Sequence, residues 1–370
     1  MTNEKKILFF IPALGIGGAE RQMLLLLKFL KEKGINPIVL TYNDPALDYN
    51  IDFEINRIIV RSNNVISRYY KLMKTLIKQK PDIILSYLRI PNILTIFYSI
   101  IFPKTHIVVS QRSTPSKKTI LNKLIFSLYK KSNVIVANSH SSADYLINNH
   151  PSLSSKVKII TNYTDLDTFV FNHKPIGKIM KIGVFARYIS TKNTYRFIEA
   201  VKILNAKYSN VEYHWYGQKF LDKNGLPTKR SSYYLRCEEL KEKYKLDNLT
   251  FHSFAPNVIK EIQDVDAVCL PSLVEGFSNV LSESICCGKP VIASNIADNA
   301  LFVDEGKNGF LFNPYDINDM VSAIEKFLSL KENELFGFQK NSRRKAEVLF
   351  SKDVFVDSYI RILMRCNDKS

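Results

Sequence analysis

Two glutamates, an arginine and a lysine hold most of the chemical information in this chain. Glu275 and Glu283 stand in Pro271-Ser272-Leu273-Val274-Glu275-Gly276-Phe277-Ser278-Asn279-Val280-Leu281-Ser282-Glu283, directly after the apolar run Ala267–Leu270. If a helix begins at Ser278 or Asn279, Glu275 lies before its N-terminus and Glu283 more than one turn in. The two carboxylates then reach different parts of a long ligand, and the free amides of Gly276–Asn279 face between them. A carboxylate accepts two hydrogen bonds from vicinal hydroxyls, which suits a sugar or ribose diol. The plainer alternative is that Glu275 caps the helix and Glu283 is solvated. Arg187 and Lys192 flank a second loop, Phe185-Ala186-Arg187-Tyr188-Ile189-Ser190-Thr191-Lys192-Asn193. A guanidinium and an ammonium converging there clamp a diphosphate and neutralise it as it leaves. Two solvated charges near a helix start are the alternative.

A third loop, Gly15-Ile16-Gly17-Gly18-Ala19-Glu20-Arg21, follows the first apolar run and opens a helix. Gly17 and Gly18 allow close backbone approach to an anion at the helix N-terminus. A tight strand-to-helix turn without a ligand is the alternative. The loop is not the dinucleotide fingerprint, because Glu20 stands at its third glycine position.

Each loop needs a strand before it and a helix after it, and the pattern supplies both. Strands are predicted at Lys6–Ile11, Pro37–Thr41, Ile83–Ser86, His106–Ser110 and Val134–Ala137. A helix is predicted from about Ala19 to Lys33, stopped by Gly34. Asn162–Lys178, a polar stretch with Pro175 and Gly177, reads as a linker. The pattern then restarts, with strands at Lys181–Phe185, Glu212–Tyr216, Thr250–Phe251, Ala267–Leu270 and Pro290–Ala293 and a helix at Asn193–Tyr208. Two βαβ runs of this kind predict two doubly wound α/β domains, with ligands beyond the carboxyl ends of the strands and the cleft between the domains as the default site.

Composition sets the outer bounds. The chain has 370 residues, 46% hydrophobic and 24% charged, which argues against disorder and fits two domains. The apolar run at Ile7–Ala13 reads as a first strand and not as a signal peptide. Arg89 and Pro91 interrupt the stretch Ile83–Phe102, leaving too few residues for a membrane span. The five cysteines, Cys237, Cys269, Cys286, Cys287 and Cys366, form no C-x-x-C pair, so neither a disulfide framework nor a zinc site is predicted, and a reducing compartment is. The formal charge is +17, of which residues 1–170 carry +12, from 23 Lys+Arg against 11 Asp+Glu. That excess admits nucleic acid, an anionic membrane or a phosphate-bearing ligand.

In combination these motifs resemble the family 4 retaining glycosyltransferases. The matching residues are Gly17-Gly18-Ala19-Glu20-Arg21, Arg187, Lys192-Asn193, and Pro271-Ser272 through Glu275-Gly276-Phe277 to Glu283. Gly288-Lys289-Pro290-Val291-Ile292-Ala293-Ser294, Gly309-Phe310-Leu311, Asn138-Ser139 and Asn162 also match. The resemblance is densest over residues 181–315 and implies the GT-B fold of two facing Rossmann-like domains. It implies an acceptor domain at 1–170, a donor domain at 171–350, and a C-terminal helix in 351–370 packing back on the first domain. Arg187 and Lys192 would hold the donor diphosphate, and Glu283 the ribose. Glu275 and the amides of Phe277, Ser278 and Asn279, beside Gly276, would hold the donor sugar. Gly17 and Gly18 would lie near the phosphates. No metal and no cofactor is implied, the nucleotide-sugar being a substrate. Asp264-Val265-Asp266 has the letters of a metal motif but leads into a buried strand.

The chain departs from the family at three places. Gln111 and Arg112 stand where a histidine is common, and neither is a plausible base. Retaining transfer needs none where the leaving phosphate takes the acceptor proton. His106 reads as packed. Tyr163 and Ser253 each replace a usual glycine, and the second leaves the nucleotide open.

Lys71, Lys74 and Lys78 share one face of a helix predicted over Val65–Lys80. Lys117, Lys118, Lys123, Lys130 and Lys131 surround a second apolar run. Such segments dock on anionic lipid, or are ordinary packed helices with a solvated face. With the resemblance, they predict a peripheral enzyme on the inner face of the cytoplasmic membrane. It would extend a lipid-diphosphate-linked saccharide in bacterial surface-polysaccharide (O-antigen or capsule) assembly, from a UDP-sugar in the first place. A sugar-nucleotide epimerase, a dinucleotide oxidoreductase, an inactive scaffold and a nucleic-acid-binding protein are the competitors. The last lacks aromatics interleaved with Arg, so no nucleic-acid partner is expected.

Overall fold

Runs of four to six apolar residues, each followed by a longer amphipathic segment, become strands buried between helices. The computed structural model describes residues 5–15, 17–43, 51–112, 119–175, 177–222, 224–255 and 257–364. Lys117, Lys118 and Cys366 lie outside the described residues. Two units form, residues 1–163 with 351–370, and residues 164–350.

The first unit runs β1 (Ile7–Phe10), α1 (Gly18–Glu32), β2 (Ile38–Thr41), β3 (Arg57–Ile59), α2 (Val65–Gln79), β4 (Ile83–Tyr87), α3 (Arg89–Ile101), β5 (His106–Gln111), α4 (Ile120–Leu128), β6 (Val134–Ala137), α5 (His140–Asn149) and β7 (Val157–Ile159). Its strands pair in parallel in the order β3-β2-β1-β4-β5-β6-β7. Central strands β1 and β4 are buried at every position, as a parallel sheet covered on both faces requires.

The second unit runs β8 (Met180–Phe185), α6 (Thr194–Asn205), β9 (Val211–Tyr216), α7 (Ser232–Lys243), β10 (Leu249–His252), α8 (Val258–Asp264), β11 (Ala267–Leu270), α9 (Asn279–Cys286), β12 (Val291–Ser294), β13 (Gly309–Phe312), α10 (Ile317–Leu328) and α11 (Glu332–Leu349). The strand order is β10-β9-β8-β11-β12-β13, again parallel. Helix α12 (Lys352–Met364) belongs to the first unit. There His106 contacts the Ile362 carbonyl at 2.8 Å and Tyr87 shares a 2.8 Å hydroxyl contact with Tyr359.

In both units the chain builds outward from its first strand on one side, then returns to the other. The reversal falls between β1 and β4, and between β8 and β11. A crevice opens at such a switch point beyond the carboxyl ends of the strands, where ligands of these sheets bind.

The boundary between the two units falls inside the polar stretch read as a linker, after Tyr163, and the part from Thr164 on is anchored to the second unit. Arg343 donates to the carbonyls of Leu166 (3.3 Å) and Phe169 (3.0 Å). Gln339 donates to the Lys174 carbonyl at 2.7 Å, and Lys174 pairs with Asp266 at 2.9 Å. Three of its backbone carbonyls and the Lys174 ammonium are partnered by α11 side chains and by Asp266, so polarity there does not mean solvation.

Candidate active site

The switch point of the second unit carries Arg187, Lys192, Glu275 and the start of α9. The loop after β11 lies against the loop after β8, with the Leu273 amide donating to the Thr191 carbonyl at 2.8 Å. This brings Lys192 and Glu275 into an ion pair with side chains only 18% and 12% exposed. Glu275 therefore does not cap the helix. Ser278 is the cap of α9, its hydroxyl accepting from the Leu281 amide at 3.3 Å, and no acidic residue occupies the first turn. The positive end of α9 is left without a carboxylate of its own helix. Gly276, Phe277 and Asn279 are half-buried beside it. The Phe277 ring packs edge-on against Phe302, centroids 5.2 Å apart. Glu283 lies further along α9 and is buried. Ser272 is buried between strand and loop with a hydroxyl that has no partner.

Arg187 is exposed, yet its loop is held firmly from beneath. The Trp215 indole donates to the Ala186 carbonyl at 2.7 Å. The buried Tyr188 hydroxyl reaches the carbonyls of Trp215 (2.8 Å) and His252 (2.9 Å), at the ends of β9 and β10. Burial pushes this phenol far above its ordinary range, so it stays a donor. Gly217 completes the clamp: a Cβ there would lie 2.0 Å from the Ala186 carbonyl oxygen. Asn193 takes the left-handed conformation (φ 62°) that turns the loop into α6, and its side chain donates to the Pro314 carbonyl at 2.9 Å. Tyr188, Trp215 and Gly217 were missed from sequence. A glycine directly after a strand, which marks close backbone approach, was the available signal.

In the first unit, Gly17 is the cap position of α1 and Gly18 its first residue. The Glu20 carboxylate folds back over Gly17, where an added Cβ would meet it at 2.3 Å. The nearest anion at this helix start is thus the protein's own. Arg112, half-buried after β5, donates to the Asn162 side chain and lies over the Tyr87 ring at 4.8 Å. Tyr163 exchanges two hydrogen bonds with Gln22 of α1, at 2.7 and 2.8 Å, and its ring packs between Phe29 and Phe355. Two of the departures from the family pattern are therefore adjacent parts of one packed arrangement. His106 is packed against α12, as read from sequence, and burial lowers its proton affinity. Asp266 is buried, accepts from the Lys181 amide at 2.7 Å and pairs with Lys174, so the Asp264-Val265-Asp266 segment is structural. Lys71, Lys74, Lys78 and Lys123 are exposed on α2 and α4. No cluster of three His, Cys, Asp or Glu with metal-binding geometry occurs among the described residues.

Two Rossmann-like units with a cationic pair and two carboxylates at one switch point define a class, the GT-B glycosyltransferases. The chain belongs to family 4 of these enzymes. Residues 16–168 match the family model described as Glycosyltransferase Family 4, and residues 168–345 that described as Glycosyl transferases group 1. A Campylobacter jejuni N-acetylgalactosamine-N,N'-diacetylbacillosaminyl-diphospho-undecaprenol 4-alpha-N-acetylgalactosaminyltransferase is 26% identical over 94% of this chain and 96% of its own length. A Rickettsia africae glycosyltransferase superposes with a TM-score of 0.83 at 20% identity, covering 100% of both chains. Anabaena HepE, solved in complex with UDP and glucose, superposes with a TM-score of 0.82 at 18% identity over 97% of this chain and 99% of its own. The two structures establish a likeness of fold. The chain is a glycosyltransferase and resembles those of surface-polysaccharide assembly.

Proposed function

We propose that this enzyme moves a hexose or N-acetylhexosamine from a nucleotide-sugar, a UDP-sugar in the first place, to a lipid-diphosphate-linked saccharide. The observation that carries the donor half is the Lys192–Glu275 pair beside exposed Arg187 at the β8/β11 switch point. In this reading Arg187 and Lys192 take the diphosphate. Glu275 and the amides at the start of α9 take the sugar, and Glu283 the ribose. The bond from the anomeric carbon to phosphate oxygen breaks and a bond to the acceptor oxygen forms on the same face. The acceptor proton passes to the departing phosphate, so no separate base is used and configuration is retained. Arg187 and Lys192 supply the positive charge that a divalent ion would otherwise bring, so transfer proceeds without metal or cofactor. The Campylobacter relative acts on a diphospho-undecaprenol-linked saccharide and HepE binds UDP, which supports both halves.

The membrane half rests on α2 and α4. Exposed Lys71, Lys74, Lys78 and Lys123 sit among exposed Val65, Ile66, Tyr70, Leu121 and Leu124. At about 1 kcal/mol per basic residue near an anionic leaflet, four suffice for reversible docking. No helix among the described residues is long and apolar enough to cross a membrane, and in this reading the protein sits peripherally on the inner face. Thermal shift against UDP-, GDP- and dTDP-sugars tests the donor, with a tight donor raising Tm. Proton NMR of the product tests retention, and turnover in EDTA tests metal independence. Flotation with anionic vesicles at moderate salt tests docking. An inverted product, loss of turnover in EDTA, or absence of flotation would each remove the corresponding part.

A further inference from the structure

Helix α4, Ile-Leu-Asn-Lys-Leu-Ile-Phe-Ser-Leu, is apolar on more than one side. A helix of that composition belongs inside a core or a membrane boundary. Here Ile125 and Phe126 are buried, while Ile120, Leu121 and Leu124 are 82%, 58% and 60% exposed. Beside this ridge a shallow pocket of about 330 Å³ opens between α4 and α5. Ile120, Asn122, Lys123, Tyr145, Asn149 and His150 line it. Its polar chemistry is that of an anion site. The Lys123 ammonium and the His150 imidazole are on its wall, and α4 begins there, capped by the Thr119 hydroxyl with no acidic residue in its first turn. Burial lowers the proton affinity of His150, and the charges of Lys123 on α4 and Lys130 in the turn after it lower it further. Phe126 of α4 packs on its ring, centroids 5.3 Å apart. A pocket holding one ammonium, a helix start and an imidazole that an anion would help to protonate, rimmed by exposed aliphatic side chains, matches a ligand that is anionic at one end and apolar at the other.

We propose that the pocket between α4 and α5 receives the phosphate headgroup of an anionic membrane lipid, while Ile120, Leu121 and Leu124 enter the acyl boundary. This rests on the membrane reading above and places one lipid at one site within it. Lys123 and the protonated His150 bind the phosphodiester, and the Tyr145 hydroxyl adds a donor. Occupation puts a negative charge beside His150 and raises its proton affinity, against the effect of the two lysines.

The test uses the full chain with histidines isotopically labelled, the His150 resonance being assigned through His150→Gln. Water-soluble dihexanoylphosphatidylglycerol should shift His150 saturably and move its titration to higher pH. Dihexanoylphosphatidylcholine and inorganic phosphate should not. Leu124→Ser and Lys123→Gln/His150→Gln, both at exposed or half-exposed positions, should keep the wild-type Tm. The double variant should bind phosphatidylglycerol vesicles about tenfold more weakly, as for the loss of one to two basic groups at the surface. If the vesicles bind wild type and double variant alike and His150 does not respond, the pocket assignment fails and the docking reading stands. If His150 responds to the soluble lipid but no vesicle binds, docking fails and the pocket stands. A response to inorganic phosphate alone makes it a free-anion site and overturns the lipid assignment. Concentration-dependent dimerisation abolished by Leu124→Ser would make the ridge a self-association surface and overturn it as well.

Discussion

Lys192→Ala offers the most direct test of the donor site. Lys192 does two things here. It pairs with Glu275, both side chains being more than four-fifths covered, and in the proposed reaction it faces the departing diphosphate. The first role is thermodynamic. Exposed pairs contribute about 0–1 kcal/mol and breaking a fully buried one costs about 3–5 kcal/mol, so this pair falls near 1–3 kcal/mol. For a unit of residues 164–350, that lowers Tm by a few degrees, at roughly 2–4 °C per kcal/mol. The second role is kinetic. Loss of one preorganised charged donor to a leaving group costs about 2.7–4 kcal/mol, or 10²–10³ in turnover. Lys192→Ala also leaves the Glu275 carboxylate facing a dianion, which adds to the loss. The double variant Lys192→Ala/Glu275→Gln separates the two, since it removes the orphaned charge. It should recover most of the Tm but stay at least about 10²-fold slow. The assay is UDP release under saturating acceptor, with Tm measured on the same samples. Turnover within about threefold of wild type in Lys192→Ala, or recovery of turnover in the double variant, would refute the leaving-group role.

Glu283→Ala should weaken donor binding with little change in kcat, read by titration of the nucleotide alone; unchanged affinity would remove Glu283 from the ribose. Gly217→Ala pushes a methyl into the Ala186 carbonyl. Such overpacking costs about 1–3 kcal/mol and moves Arg187, so Tm and donor affinity should fall together. Gly337→Ala, in α11 with nothing within 4 Å of the new methyl, should instead raise stability by about 0.5–1 kcal/mol. Equal effects of these two would show that the contact geometry is wrong. Burial holds His106 below its ordinary value near 6.5 despite its bond to Ile362. The unfolded chain therefore takes up this proton first. The contribution is fully present above about pH 6.5 and is lost as pH falls through the lower folded value. His106→Gln, which keeps a donor for Ile362 without titrating, should flatten that part of the Tm–pH profile, and an unchanged profile would assign the acid sensitivity to other histidines.

Much of the first-order architecture was legible because it depends on local pattern. Val134–Ala137 and Ala267–Leu270 coincide with β6 and β11, since an apolar run between loop residues has few other outcomes in a parallel sheet. Asn64 and Ser278 cap α2 and α9 through their own side chains, so those helix starts are local events too. Edge strands were less legible. Arg57–Ile59 and Val157–Ile159 are three residues each, partly exposed, and carry too little apolar signal to stand out from a loop. The packing of residues 164–174 was illegible for a different reason: their carbonyls and the Lys174 ammonium are partnered by Gln339, Arg343 and Asp266, far away in sequence.

Residue type and local pattern supplied the candidates and the strand-loop-helix units that carry them. Arg187, Lys192, Glu275 and Glu283 follow from residue type and from strand-loop-helix order, both of which are local. The sequence left open whether Glu275 was a helix cap and whether Lys192 was merely solvated. The packing of the second sheet settles both. Glu275 and Lys192 meet because β8 and β11 are neighbours in the sheet although α6, β9, α7, β10 and α8 lie between them in the chain. The backbone clamp of Trp215, Tyr188 and Gly217 beneath Arg187 likewise depends on three adjacent strands ending at one level. Strand order and register are global properties, set by which packing buries the whole apolar surface at once, and no short run of residues encodes them.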